Sequence, residues 1–370
     1  MARARPRQQR PAHRPGAAVM SLPSPLKRCW PLMPLLGLGA LPGLAWANPP
    51  EVATHQRAAD TEAARPDAAH PDAARLDLAL RARRVADRTW VIEGAVDDFR
   101  LANGCNIINT AFIATGAGVV VINTGPSLLY GQQQRALIAQ TTREPVVQVV
   151  NLNQHPDHFL GNGAWADVGV QALPASAQAM QAEGEALAAN LHRLCGPWQR
   201  HTVPMAATQS VPLGLQTLGQ HRLEWLRLQG HTGGDLVLID HTTGVAFVGG
   251  LVFKDRVPTT PHATPAQWLE SLSRLESLHQ AGCFRQLVPS HGPVHAGVDG
   301  MAQTRDWLQW VNRHLRDSAE AGRDLSELLG LPLPERFADW AAQPAEWHRT
   351  LVQWYPAHEV RALGPRTTAP

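Results

Sequence analysis

A cluster of histidine and aspartate directly after a long apolar run constrains this chain more than any other feature. The run covers residues 146–152 and predicts a buried strand. His155, Asp157 and His158 follow it within a few residues, together with Asn153. Ligands bind at the carboxyl ends of strands in open α/β sheets, and imidazole with carboxylate suits zinc or a similar divalent metal. The stretch therefore predicts a metal-binding loop.

Other polar residues also follow apolar runs. Asn123 ends the run 119–122, His231 lies in a glycine-rich loop before the run 236–239, and His291 ends the run 286–289. Residues far apart in sequence that each lie just beyond a strand are expected to meet at one edge of the fold. The order of the elements, with strands and helices mixed, predicts an α/β (α+β) fold.

The same patterns predict the individual elements. A hairpin is expected from the runs 106–114 and 119–122, and paired strands from 211–218 and 221–228. Helices are expected over 130–141, 176–195, 264–279 with Thr264 as N-cap, 300–320 and 335–354.

The first part of the chain has the layout of an export signal. Lys27 and Arg28 precede an apolar stretch over 30–44, and Ala45-Trp46-Ala47 fits a cleavage site. The stretch is short for a bilayer span and is interrupted by prolines, so we expect no stable membrane span, with a retained anchor as the alternative. We predict a signal peptide over 1–47, periplasmic localisation and a low-complexity linker over 48–80.

Removal of the signal would change the charge. The whole chain has 33 basic and 31 acidic residues, and seven of the basic ones lie in 1–47. The mature chain would keep 26 basic residues against 31 acidic, a net charge of −5, which disfavours nucleic acid as a partner. Three cysteines would remain, Cys105, Cys195 and Cys283, consistent with one disulfide and a free thiol or with three buried thiols.

Three motifs together resemble the metallo-β-lactamase fold superfamily. Asn153-x-His155-x-Asp157-His158 is similar to its first metal motif, Gly230-His231-Thr232 to its next, and Ser290-His291-Gly292 to its last. The resemblance implies a four-layer αββα sandwich over 81–298, followed by a C-terminal helical extension over 299–370 that packs on the domain. It also implies zinc, a small-molecule substrate, and His155, Asp157, His158, His231 and His291 as metal ligands.

Within the superfamily, the chain resembles the branch called quinoprotein relay system zinc metallohydrolases. The stretches that carry this resemblance are 103–106, 123–127, 156–162 and 354–356. The resemblance implies a periplasmic quinoprotein dehydrogenase system as a partner.

Three positions depart from the superfamily pattern. Asn153 replaces the first histidine, Asn123 the strand-end aspartate, and Gly250 the aspartate that bridges two metals. Glycine offers no ligand and an amide is a poor one for zinc. Of the one or two zinc ions that the resemblance implies, we therefore favour one, held mainly by Asp157, His158 and His291.

Each of these residues also has a structural interpretation. His158 and Asp157 could order the start of a helix, His291 could belong to a turn, and His155 and His231 could be hydrogen-bonded pocket residues. Asp235 is expected to stabilise its loop and Cys105 to be buried. Six further histidines are expected at the surface or its boundary: His192, His201, His221, His241, His262 and His279.

The leading function is that of an exported metal-dependent hydrolase. Metal-bound hydroxide would attack an ester, thioester, lactone or amide, with Asp157 orienting the nucleophile and moving a proton. The alternative is a degenerate member of the same fold that binds a metal or ligand without turnover. A third hypothesis is an accessory protein of the quinoprotein system that acts through its tryptophan-bearing C-terminal helices.

Overall fold

The computed structural model describes residues 76–364. The predicted signal peptide and most of the predicted linker lie outside these residues. None of the described helices is long and apolar enough to cross a membrane.

Seven strands form the first sheet, in chain order from one edge to the other. β1 to β4 are antiparallel neighbours, whereas β4 to β7 run parallel. The strands are β1 Ala82–Ala86, β2 Thr89–Ile92, β3 Thr110–Ala114, β4 Val119–Ile122, β5 Val146–Val150, β6 Gln171–Ala172 and β7 Gln209–Ser210. The predicted hairpin is β3–β4, and β5 is the predicted strand before the metal-binding loop.

The second sheet has six strands in the order β13-β12-β11-β10-β9-β8. All its neighbours are antiparallel except β11 and β12, which are parallel. The strands are β8 Gly214–Leu218, β9 His221–Leu228, β10 Asp235–Asp240, β11 Val245–Phe247, β12 Gln286–Val288 and β13 His295–Ala296.

Helices cover the outer faces of both sheets. They are α1 Leu128–Thr141, α2 Pro156–Phe159, α3 Pro174–Cys195, α4 Pro265–Gln280, α5 Asp299–Glu320, α6 Leu325–Leu329, α7 Glu335–Ala338 and α8 Ala345–Leu363. The predicted helix over 335–354 is two helices, α7 and α8, with residues 339–344 between them. Thr264 precedes α4 as expected, but its side chain makes no capping hydrogen bond.

The strands alternate between two apolar layers. In β4, Val119 and Val121 face a cluster shared with α1 and α3, whereas Val120 and Ile122 face a cluster shared with the second sheet. A third cluster packs the other face of the second sheet against α4, α5 and α8. Successive side chains of a strand point to opposite faces, so two sheets buried on both sides give four layers. This is the predicted αββα sandwich.

The C-terminal helices belong to this third cluster. Trp307 and Leu315 of α5 are buried there, and Trp310 packs against its edge. Trp347 and Tyr355 of α8 pack in the same cluster. The tryptophans of α5 and α8 therefore hold the helices on the domain.

One disulfide settles the two alternatives for the cysteines. Cys105 and Cys195 are bonded, with their Cα atoms 6.0 Å apart, and Cys283 is a free, partly buried thiol. The bond joins the segment before β3 to the end of α3. The segment that carries Ile107 is therefore fixed close to the strand ends described next.

Candidate metal centre

The predicted site residues meet where several strands end, between the two sheets. Asn123 follows β4, the loop with α2 follows β5, His231 lies between β9 and β10, and His291 follows β12. All five predicted ligands are buried: His155, Asp157, His158, His231 and His291. The expected convergence is therefore present, and the contacts among these residues decide what they can bind.

Asp157 and His291 place two hydrogen-bond acceptors against each other. His291 Nδ1 donates to the Ile107 carbonyl at 2.8 Å, so in a neutral ring Nε2 carries the lone pair. That Nε2 lies 3.3 Å from Asp157 Oδ2, which has no hydrogen-bond partner. Burial raises the pKa of Asp157 to about 7, and burial together with Arg256 lowers the pKa of His291 well below its usual range. A cation or a proton between the two atoms would relieve their repulsion.

His158 is also held in one tautomer. Its Nδ1 lies 3.0 Å from Asn123 Oδ1, an oxygen that can only accept, so Nδ1 carries the proton. Its Nε2 then has the lone pair and accepts from the Ser290 hydroxyl at 3.2 Å. Burial lowers the pKa of His158 to about 3, so the ring is neutral. Histidine ligands of metals are oriented in this way by an acceptor on the other ring nitrogen.

His155 and His231 form a second pair. His155 Nδ1 lies 3.2 Å from His231 Nε2, and the buried His231 Nδ1 has no partner. Burial, reinforced by the other histidines, lowers the pKa of both rings well below the usual range. Phe253 and Trp268 pack around the His231 ring with centroids 5.4 and 4.9 Å away. Both rings are therefore neutral and able to act as ligands.

The positions that depart from the superfamily pattern have structural reasons. Asn153 turns its Oδ1 back to the His155 amide at 2.9 Å and so orders the loop. Gly250 makes room for His231, because a Cβ there would lie 2.0 Å from His231 Cδ2. Asn123 orients His158 and also accepts from the Leu152 amide at 3.0 Å.

The donor chemistry fits zinc, but the donors lie in pairs. With metal–ligand bonds of about 2.0–2.1 Å, two ligands of a tetrahedral zinc lie about 3.3 Å apart. Both pairs have this spacing. Within residues 76–364, no group of three or more His, Cys, Asp or Glu side chains is close enough together to hold an ion. The predicted trio of Asp157, His158 and His291 is thus not assembled in this arrangement, because His158 Nε2 faces Ser290.

Two residues of the site were missed by the sequence analysis. His262, expected at the surface or its boundary, contacts His155, with His262 Nδ1 3.0 Å from His155 Nε2. Glu183 in turn contacts His262, with Oε2 2.9 Å from Nε2. Neither residue follows a predicted strand or belongs to a motif, so no sequence signal separated His262 from the other five histidines.

Two other polar residues stabilise the fold around the centre. Asp235 accepts from the backbone amides of His231 and Thr232 at 3.0 Å each, which confirms its role in the loop. His221 was also expected at the surface or its boundary, and that prediction was wrong. It is buried against Asp240 at 2.8 Å.

A cavity of about 540 Å³ opens onto His155, Asp157 and His291. Apolar side chains of α3 form one wall, among them Leu187 and Leu191. Four more apolar residues add to this lining: Phe99, Ile107, Pro156 and Pro261. Three polar residues of α8 also line the cavity: Glu346, Arg349 and Gln353. The candidate centre therefore lies in a pocket of ligand size that is largely apolar.

The comparisons with known proteins agree with this architecture. The family model of the metallo-beta-lactamase superfamily matches residues 103–291, about half of the chain. No curated protein matches. The solved structures of similar fold include a metallo-beta-lactamase from Pontibacter korlensis. It is 19% identical with a TM-score of 0.50, and the match covers 62% of this chain and 99% of that one.

Another structure of similar fold is the metallo-beta-lactamase FIM-1 from Pseudomonas aeruginosa in its mono-zinc form. It is 16% identical with a TM-score of 0.50, and the match covers 63% of this chain and 96% of the other. At these identities the structures establish the fold only. The family match, which covers about half of the chain, establishes that the chain belongs to the metallo-beta-lactamase superfamily.

Proposed function

We propose that the protein is a zinc-dependent hydrolase of a small-molecule ester, thioester, lactone or amide. The observation that supports this most is the buried pair of Asp157 Oδ2 and His291 Nε2, two acceptors 3.3 Å apart on the wall of the cavity. Zinc relieves such a repulsion and, when bound, lowers the pKa of water to about 7 and polarises a substrate oxygen.

The proposed ligand set starts from this pair. Asp157 and His291 would hold one ion, and His158 Nε2 would join them once it leaves Ser290 Oγ, with its tautomer already set by Asn123. His155 and His231 form the second donor pair. Gly250 supplies no bridging carboxylate between the two pairs, so a single ion is proposed.

The chain's own residues would carry the remaining steps. Asp157 would orient the attacking water through one carboxylate oxygen and pass a proton to the leaving group. The apolar wall of α3 would exclude water and hold the substrate, which favours a substrate with an apolar substituent next to the scissile bond.

Chelation and reconstitution test this proposal. The purified protein is assayed with p-nitrophenyl esters of increasing acyl length, before and after removal of metal, together with elemental analysis. We expect activity to disappear with the metal, to return with zinc and to rise with acyl length. The Asp157→Asn variant should lose roughly 10²–10⁴-fold in kcat/KM, whereas Asp317→Asn, at an exposed residue, should not. Activity that survives chelation would overturn the proposal.

The second candidate is a degenerate member that binds a metal or ligand without turnover. It is favoured by Asn153, which points its oxygen at the loop backbone, and by the donors lying in pairs rather than threes. Bound zinc without hydrolysis of any ester, thioester, lactone or amide tested would support it.

Export to the periplasm and a link to a quinoprotein dehydrogenase system belong to the same proposal. They are motivated by the sequence of residues 1–47 and by the resemblance described above. Fractionation of cells and co-purification with a dehydrogenase test them. A full-length chain that stays in the cytoplasm would contradict both.

A further inference from the structure

Two arginines line the cavity, and neither belongs to the candidate metal centre. Arg193 is a residue of α3 and Arg349 a residue of α8. Arg193 is exposed and donates to Asn190 Oδ1 at 2.9 Å, one turn before it on the same helix. Within residues 76–364 it forms no ion pair. The Arg193 guanidinium is therefore a positive charge on the cavity lining without a carboxylate of the protein to balance it.

Both arginines lie towards the same end of the cavity. Arg349 Nη2 donates to Asp98 Oδ2 at 2.6 Å. Three residues after Asp98, the Leu101 side chain reaches the end of α3, because a Cβ at Gly196 would lie 3.8 Å from Leu101 Cδ1. Arg193 lies three residues before Gly196. The segment that holds Arg349 is thus packed against the end of the helix that carries Arg193.

The other end of the α3 wall carries different groups. Glu183 precedes Arg193 by ten residues, about 15 Å along a helix that rises 1.5 Å per residue. Glu183 Oε2 lies 2.9 Å from His262 Nε2. The residues of α3 that line the cavity between these two charges are mainly apolar: Ala186, Leu187 and Leu191. A ligand along this wall would therefore meet a long apolar surface before it reaches the arginines.

The charge at the arginine end is positive by one unit. Arg349 Nη1 lies 2.9 Å from Glu346 Oε1, which also accepts from the buried Arg256. The second oxygen of Glu346 is buried and does not face the cavity. Asp98 and Glu346 thus balance Arg256 and Arg349, and Arg193 remains unbalanced. This charge matches a monoanion, and the planar guanidinium fits the two oxygens of a carboxylate.

We infer that the cavity takes an amphipathic monoanion, an apolar chain that ends in a carboxylate, and that Arg193 is the specificity-determining residue that binds this carboxylate. The apolar chain would lie along α3, and Arg349 would add to the positive charge at its end. The inference deepens the proposed function and rests on it only in placing the scissile group of a substrate at Asp157 and His291.

Binding can be measured without turnover, by calorimetric titration of the metal-free protein with octanoate. Octan-1-ol and octylammonium have the same chain length with no charge and with the opposite charge. We expect octanoate to bind about tenfold more tightly than either, because charge-assisted hydrogen bonds are stronger than neutral ones. Equal affinity for octanoate and octan-1-ol would overturn the inference.

Variants of Arg193 test the residue itself. Arg193 is exposed and unpaired by any carboxylate, so Arg193→Gln should fold like the parent protein. This variant should lose the preference for octanoate, whereas Arg193→Lys should keep part of it. The matched control is Arg143→Gln, at an exposed arginine that does not line the cavity. A preference for octanoate that survives in Arg193→Gln would exclude Arg193 from the role.

Turnover separates this inference from the proposed reaction. A p-nitrophenyl ester whose acyl chain ends in a carboxylate should have a lower KM than the ester of equal length that ends in a methyl group, with kcat unchanged. If octanoate binding depends on Arg193 but no ester is hydrolysed, the proposed reaction is wrong and the carboxylate site stands. If hydrolysis requires zinc but the terminal carboxylate has no effect on KM, the carboxylate site is wrong and the reaction stands.

Discussion

Gly250 shows how one residue determines what the centre can hold. In the sequence, Gly250 is notable only because it replaces an aspartate that would bridge two metals. In the structure, the His231 ring occupies the space where a side chain at position 250 would begin. His231 can pack there, between Phe253 and Trp268, because position 250 has no Cβ. Restoring an aspartate at this position is therefore not a simple gain of a ligand.

We predict that Gly250→Ala displaces the His231 ring and destabilises the protein by about 1–3 kcal/mol, the usual cost of an overpacked site. Gly250→Asp should not raise the metal stoichiometry to two. Urea unfolding and elemental analysis measure these effects.

Gly233→Ala is the matched control for this experiment. Gly233 lies in the same loop as His231, and a Cβ there would meet nothing within 4 Å. Equal stability of the two alanine variants, or two bound metals in Gly250→Asp, would contradict the account of His231.

Helix α8 and the loop that precedes α4 are held together by a buried arginine. The Arg256 side chain is buried and donates to the Asp97 carbonyl, to Thr259 and to Glu346 of α8. The Glu346–Arg256 distance is 3.0 Å, with both side chains almost completely buried. The C-terminal extension thus holds the loop that delivers His262, and it also forms one side of the cavity.

We predict that Glu346→Ala lowers the free energy of unfolding by about 3–5 kcal/mol, because it leaves the Arg256 guanidinium buried without its carboxylate. The loop that carries His262 should loosen as well, so the contact between His262 and His155 should be weakened. Denaturant unfolding tests the first effect, and ¹⁵N spectra of the histidine side chains test the second. Asp306→Ala, which breaks the exposed pair with Arg336, should cost no more than about 1 kcal/mol. A loss in Glu346→Ala as small as this would contradict the anchoring role.

For the whole molecule, the buried centre links stability to pH. Burial lowers the pKa of four histidines from 6.5, so these rings stay neutral in the folded protein at pH values at which the unfolded chain protonates them. They are His155, His158, His231 and His291. Burial raises the pKa of Asp157 and Asp235 from 3.8 to about 7, so the folded state binds two protons that the unfolded chain does not. Between pH 5 and 6 the four histidines of the unfolded chain therefore bind about two protons more than the two aspartates of the folded protein.

We therefore predict that the metal-free protein loses stability as the pH falls from 6 to 5, by about 3 kcal/mol per pH unit for the two excess protons of the unfolded state. Urea unfolding at several pH values measures this slope. His158→Gln removes one of the four histidines and should reduce the slope by about half. A stability that is constant or rises over this range would show that the histidines do not remain neutral in the folded protein.

The sequence by itself determined the architecture and most of the centre. Apolar runs and helical spacing are local patterns, and they were sufficient for a mixed α/β fold, whereas the four αββα layers were implied by the resemblance of three motifs to the superfamily. Polar residues directly after strands were sufficient to bring His155, Asp157, His158, His231 and His291 to one edge. The predictions that failed in detail, such as a single helix over 335–354, concern local chain breaks that packing decides.

Only the tertiary structure decided how these residues face one another. The tautomers of His158 and His291 depend on Asn123 and on the Ile107 carbonyl, both distant in sequence. The contact of His262 with His155 depends on a loop that is fixed by α8, and the role of Gly250 depends on the volume of the His231 ring. Hydrogen-bond direction and steric exclusion act between atoms, and no spacing in the chain encodes which atoms will meet.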